Sequence, residues 1–331
     1  MPPPADLDRR AALGLLGSAA LIAAKPVPAK PAPRTAAFRA DRELRVPARG
    51  GQLYARVNGG ASDKRAPVLF IHGGPGSSHW YFLPALAFAD ERPVVLYDQL
   101  DCGRSDMPGD PANWTVERFV SEIDAVRAAL DLDRLHVVGK SWGGSLAIEY
   151  AARRPAGLLS VTLAAPLVST RSWEASARQR LSELPRATAD AIRRHERDGS
   201  TTAPEYLAAI GVYYENFGRR RPVPPGLAAY RDALPKASNN RLYTTMWGPG
   251  ETAASGTLRH YDAEPLLPRI AAPVLFLTGE FDEMVPRHIA ILARRVAGAE
   301  TRVVPGAGHD AVLDNPDAWV GEIRRFVTAH D

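Results

Sequence analysis

The chain repeats one unit: a short, mostly apolar run closed by a turn residue, then a stretch with helical spacing. Pro67-Val-Leu-Phe-Ile71 and Pro93-Val-Val-Leu-Tyr97 are such runs, and Leu135–Val138, Leu159–Ala164, Pro273–Thr278 and Thr301–Val304 follow. Runs that are apolar throughout, rather than alternating, belong to strands buried on both faces, as in parallel sheets. Between them, Phe119, Ile123, Val126 and Leu130 share one helical face, with Thr115 placed to cap its start. Further helices are expected over 143–154, 286–296 and 316–329. Only 42–59, around Ala48-Arg49-Gly50-Gly51, reads as a hairpin. Parallel strands need crossovers, so the expected class is α/β, a mostly parallel sheet with helices on both faces.

Two regions depart from this rhythm. Residues 1–37 place Arg9-Arg10 ahead of an apolar run from Ala11 to Ala24, followed by a Pro/Ala-rich stretch. The run falls short of the roughly 20 residues that span a bilayer. It has the order of an export signal, and the paired arginines resemble a twin-arginine signal. Cleavage is expected near Ala29 or Ala37, placing the mature protein in the periplasm, without stable membrane insertion. The leader also carries Lys25, Lys30 and Arg34, so most of the formal net charge of +4 sits there and does not read as a nucleic-acid footprint. Residues 167–258 are rich in Arg, Glu, Ala and Tyr and contain no strong strand. They read as a helical cap inserted into a core made of 38–166 and 259–331. Such an insertion suits a lid, because ligands bind outside the carboxyl ends of the strands. Cys102 is the single cysteine, which excludes an internal disulfide and a multi-cysteine metal site. No base stands beside it in sequence, so it reads as structural.

The chemistry is carried by three post-strand loops. Gly139-Lys-Ser-Trp-Gly143 has the form G-x-S-x-G between a strand and a helix, a turn that exposes a serine at the sheet edge. Ser141 is the candidate nucleophile, which needs a base and an orienting acid. His309, in Gly306-Ala-Gly-His309, is the candidate base. The acid lies in Gly279-Glu-Phe-Asp-Glu283, where spacing alone leaves Glu280, Asp282 and Glu283 as alternatives. His72-Gly-Gly-Pro-Gly76 follows another strand and suits an oxyanion-binding loop, whose donors would be the N–H groups of Gly74 and Trp142, with Gly73 the rival. His72 reads as structural.

Together with Tyr97-Asp-Gln99 and Gly103-Arg-Ser105, these motifs resemble the proline iminopeptidase family of α/β-hydrolases, over residues 42–330. The resemblance implies an α/β-hydrolase fold and a Ser141–Asp282–His309 triad. It implies acyl-enzyme release of N-terminal residues, proline or small apolar, from short peptides or amino-acid amides, without cofactor or metal. It also implies lid glutamates that hold the substrate's amino group. Glu251, in Met246-Trp-Gly-Pro-Gly-Glu251, is the candidate for one. The second is expected near Val212, where the sequence has no acid and Glu215 follows three residues on. Gly73 and Glu215 complete the expected substrate-binding set. Val212 leaves an esterase or lactonase on the same scaffold as the alternative. Asp101, where the family's loop commonly has glycine, is a second departure. Trp142, Tyr213, Tyr214, Phe217 and Trp247 are candidates either for a pocket wall or for core.

Overall fold

A computed structural model describes residues 38–60 and 65–331; the expected export signal lies outside them. The chain runs β1 (Arg42–Ala48), β2 (Gly51–Asn58), β3 (Val68–Ile71), β4 (Val94–Asp98), α1 (Val116–Ala129), β5 (Leu135–Lys140), α2 (Trp142–Ala151) and β6 (Leu158–Ala164). Helices α3 (Thr170–Ser182), α4 (Arg186–Asp198), α5 (Pro204–Tyr213), α6 (Pro225–Asp232) and α7 (Asn240–Met246) follow. The chain then returns through β7 (Val274–Gly279), α8 (Pro286–Ala293), β8 (Glu300–Val304), α9 (Ala311–Asp314) and α10 (Pro316–Thr328).

The sheet has eight strands in the order β1-β2-β4-β3-β5-β6-β7-β8. The expected hairpin is β1–β2, and β2 also pairs antiparallel with β4, while every later pair is parallel. Strands β3, β4, β5 and β7 are buried at every residue; they are mostly apolar, and their buried Asp98, His136 and Lys140 are each hydrogen-bonded or ion-paired. Edge strand β8, Glu-Thr-Arg-Val-Val, is polar over its first three residues and stays largely exposed. Two apolar cores fill the two faces. One joins the sheet to α1, α2 and α8, and the other joins it to a 3₁₀ run over His79–Asp90 and to α10. The inserted helices α3–α5 build a smaller core of their own around Ile192, Tyr206, Ile210, Tyr213 and Phe217. Helix α1 starts where expected, its Thr115 hydroxyl accepting from the Arg118 N–H at 3.3 Å.

Buried ionisable groups make the fold pH-sensitive. Burial holds His72 and His136 down at about 4, against 6.5 when free, so both stay neutral in the folded chain while the unfolded chain protonates them. Their contribution is lost as pH falls from 6.5 toward about 4. Burial raises Glu122 to about 7, despite its contact with Arg118, so its contribution is lost in the opposite direction, as pH rises from 4.5. Glu283 is raised in the same way and acts in the same direction as Glu122, so between about pH 5 and 6.5 the raised carboxyls oppose the two histidines.

Candidate active site

The strand order places the site. β4 lies outside β3, so the connections leaving β3 and β5 diverge and open a crevice between their carboxyl ends. Ile71 is in register with Gly139, so the loop from His72 faces the turn from Lys140. Gly279 is in register with Val304, which sets the loops carrying Asp282 and His309 at the same level.

Ser141 sits between β5 and α2 with φ 56° and ψ −120°, a left-handed backbone that L-residues adopt only under constraint. Its N–H is held by the Ala164 carbonyl at 2.9 Å. The turn closes because Gly143 has no side chain: a Cβ there would lie 2.0 Å from the Ile71 carbonyl oxygen. Trp142 is the first residue of α2, so its N–H precedes the helical ladder and points with the positive end of the helix dipole.

The facing loop is braced by a buried polar network. The His72 Nδ1–H donates to the Gly73 carbonyl at 3.0 Å, and His72 Nε2 accepts from the Gln99 N–H at 3.0 Å. This requires the neutral ring that burial favours. The Gln99 amide donates to the His72 carbonyl at 2.7 Å and accepts from the Trp142 indole at 3.0 Å. The Tyr97-Asp-Gln99 motif therefore ties the His72 loop to the Ser141 turn. The Gly73 N–H donates to the Tyr81 hydroxyl, which leaves Gly74, at φ +119°, as the loop's available donor. Asp101 also gains an account. It holds φ +63°, which explains a glycine at this place, and its carboxylate accepts from the Trp114 indole and the Gly109 N–H. Cys102 is buried, and burial pushes its thiol well above the usual range.

His309 Nδ1 donates to Asp282 Oδ1 at 2.9 Å. Asp282 also accepts from the N–H groups of Met284 and Gly279, so its carboxylate is fixed. Glu280 instead accepts from the Gly306 N–H at 2.8 Å, and Glu283 turns into the cavity. Of the three acids that spacing left open, Asp282 is the one paired with His309. Inserted helices brace both loops. Arg180 donates to the Asp282 carbonyl at 2.7 Å, and the π-turn over Tyr214–Gly218 offers the carbonyls of Phe217 and Gly218 to the N–H groups of His309 and Asp310.

Ser141 and His309 open into a cavity of about 440 Å³. Its walls include Gly73, Gly74, Trp80, Tyr81, Leu167 and Trp173, with Tyr214, Tyr243 and Trp247. Tyr213, Phe217 and the Trp142 ring pack in the cores instead. Glu251 is held in the wall: the hydroxyls of Tyr214 and Tyr243 donate to its Oε2 at 2.5 and 2.8 Å. Its loop is pinned by Glu196, which accepts from the N–H groups of Glu251 and Thr252. Glu283 is the second carboxylate of the wall. Burial first, then the charges of Glu251 and Asp282, push it well above the usual carboxylate range. Glu215 reaches only the rim and is exposed, and Val212, on α5, does not line the cavity. In the same cavity, Lys140 Nζ pairs with Asp310 Oδ1 at 2.9 Å, and both charges act on Glu283. Sequence reasoning named Glu283 only as a rival triad acid, and overlooked Lys140, Asp310 and Arg219. The residue after a triad acid at a strand end was the available signal for Glu283.

The α/β-hydrolase fold family matches residues 66–316. A proline iminopeptidase of Heyndrickxia coagulans is 35% identical over 273 residues, covering 82% of this chain and 92% of that protein. One from Levilactobacillus brevis is 36% identical over 295 residues, covering 88% and 97%. The crystal structure of a proline iminopeptidase from Mycobacterium smegmatis superposes with a TM-score of 0.79 at 34% identity, covering 87% of this chain and 98% of that one.

Proposed function

This chain belongs to the proline iminopeptidase family of α/β-hydrolases, and we propose that it is a serine aminopeptidase that removes N-terminal proline or small apolar residues from short peptides and amides. The observation that carries the reading is the pair of carboxylates, half-buried Glu251 and buried Glu283, in the wall of the cavity onto which Ser141 opens. A buried carboxyl without a cation is costly, and the ammonium of a peptide's first residue removes that cost. Lys140, the cation whose charge reaches Glu283, is already engaged by Asp310. An N-terminal proline carries two N–H donors, and two carboxylates can accept them.

The reaction follows from this placement. Ser141 Oγ attacks the carbonyl of the first residue while His309 takes its proton, and Asp282 holds the imidazole in the tautomer that receives it. Negative charge on the carbonyl oxygen is met by the N–H groups of Gly74 and Trp142. His309 then protonates the departing amine, leaving the first residue esterified to Ser141, and water attacks that ester by the same route in reverse. The two glutamates act through position: they set the first residue's carbonyl over Ser141 and reject chains without a free amine. The leader's order of charge, apolar run and small residues supports export, so we place this activity in the periplasm. The test is a panel of proline, alanine and leucine p-nitroanilides beside a short acyl ester. Anilide turnover is expected. Ester cleavage with no anilide turnover would move the assignment to an esterase or lactonase.

A further inference from the structure

We infer that the cavity has a second pole, centred on Arg219, that receives the free carboxylate of the residue released from the N-terminal one, so that the preferred substrates are dipeptides. The inference rests on the aminopeptidase reading and adds the far end of the substrate to it. Arg219 lines the same cavity as Ser141 and His309. Its side chain is 25% exposed, and the carboxylate paired with it is Asp310, whose Oδ2 is 4.0 Å away. Among the described residues its guanidinium makes no side-chain hydrogen bond. A guanidinium in a fixed wall, with its donors unspent, is matched to a planar carboxylate.

Asp310 does not use up that charge. Lys140 already holds its other oxygen at 2.9 Å. Burial works against ionisation of Asp310, yet Lys140, His309 and Arg219 keep it below the usual carboxylate range. Two cations share that one carboxylate, which leaves the Arg219 guanidinium able to take a second. The same cavity holds Glu251 and Glu283. A cavity that offers carboxylates to an ammonium and a guanidinium to a carboxylate complements a zwitterion, and a short peptide with both ends free is one.

Orientation agrees. His309 must hand its proton to the departing amine, so the departing residue lies on the His309 side of Ser141. Asp310 follows His309 directly and pairs with Arg219 on that side. The lid backbone fixes the arrangement, because the Gly218 carbonyl accepts from the Asp310 N–H at 2.8 Å and the Arg219 N–H donates to the Tyr214 carbonyl at 2.8 Å. Two extended residues span about 7 Å, a length that a cavity of about 440 Å³ accommodates, so a dipeptide can present both its ends to residues of this one cavity.

The test compares alanyl-alanine with alanyl-alaninamide, which share the amine and the scissile bond and differ only in the far charge. The unmodified enzyme is expected to favour the acid in kcat/KM by about ten- to a hundredfold, mostly through KM. In Arg219→Gln the two substrates are expected to converge, and Arg219→Lys should keep part of the preference, since a point charge lacks the bidentate fork. Equal rates on both peptides in the unmodified enzyme, or an undiminished preference in Arg219→Gln, would overturn this proposal alone. Cleavage of neither peptide, with a short acyl ester still turned over, would overturn it together with the aminopeptidase reading.

Discussion

Ser141→Ala is expected to abolish turnover of anilides and esters alike, by about 10³- to 10⁶-fold in kcat, with the fold intact. The range is wide because binding and the oxyanion donors retain some rate without the nucleophile. The companion variant is more discriminating. Asp282 is the carboxylate bonded to His309 Nδ1, and it also accepts two backbone N–H groups. Asp282→Asn keeps nearly the same shape but cannot hold the imidazole in the receiving tautomer. Its kcat is expected to fall by about 10⁴-fold. Glu280 is bonded to the Gly306 N–H instead, so Glu280→Gln should change kcat by no more than a few fold. Steady-state kinetics of the three variants on one ester checks this. A large loss in Glu280→Gln with little in Asp282→Asn would reverse the assignment.

Glu283→Gln and Glu251→Gln are expected to change what the enzyme accepts. Each should lower kcat/KM on alanine p-nitroanilide by about 10²- to 10³-fold, the cost of losing one partner of a buried charged contact. The loss on an acyl ester, which brings no ammonium, should be far smaller. The two carboxylates share one ligand and act on each other, so the double variant should lose less than the product of the single losses. Glu283 adds a further signature. Burial and its neighbours favour its protonated form in the empty cavity, whereas an ammonium beside it favours the ionised one. Binding of a free-amine substrate should therefore release protons, measurable as buffer-dependent heat in calorimetry. Equal losses on ester and anilide would assign the two glutamates to the general architecture instead of the amine.

Much of this was legible in the sequence because the relevant physics is local. The buried strands announce themselves by unbroken apolar runs, and the Ser141 turn by glycines that nothing larger can replace. The order of Ser141, Asp282 and His309 along the chain follows from their all standing at carboxyl ends of parallel strands. The cavity wall was not legible in the same way, since its members come from elements far apart in sequence. Glu251 was visible through its surrounding motif. Glu283 was hidden beside Asp282, where one-dimensional spacing cannot tell which carboxylate turns to the histidine and which to the cavity. Val212 looked like a lost carboxylate, yet it lies on α5 away from the cavity, and Glu283 stands in the wall instead. Arg219 and Lys140 meet at Asp310 only because the lid folds over the His309 loop.

The central claim is that this cavity selects a free amino terminus. The most direct measurement is kcat/KM for alanine p-nitroanilide against its N-acetyl counterpart, with Ser141→Ala as the blank. Acetylation removes the ammonium and adds bulk against Glu251 and Glu283, so the account predicts that it lowers kcat/KM by at least about 10²-fold. Equal turnover of the two compounds would contradict it.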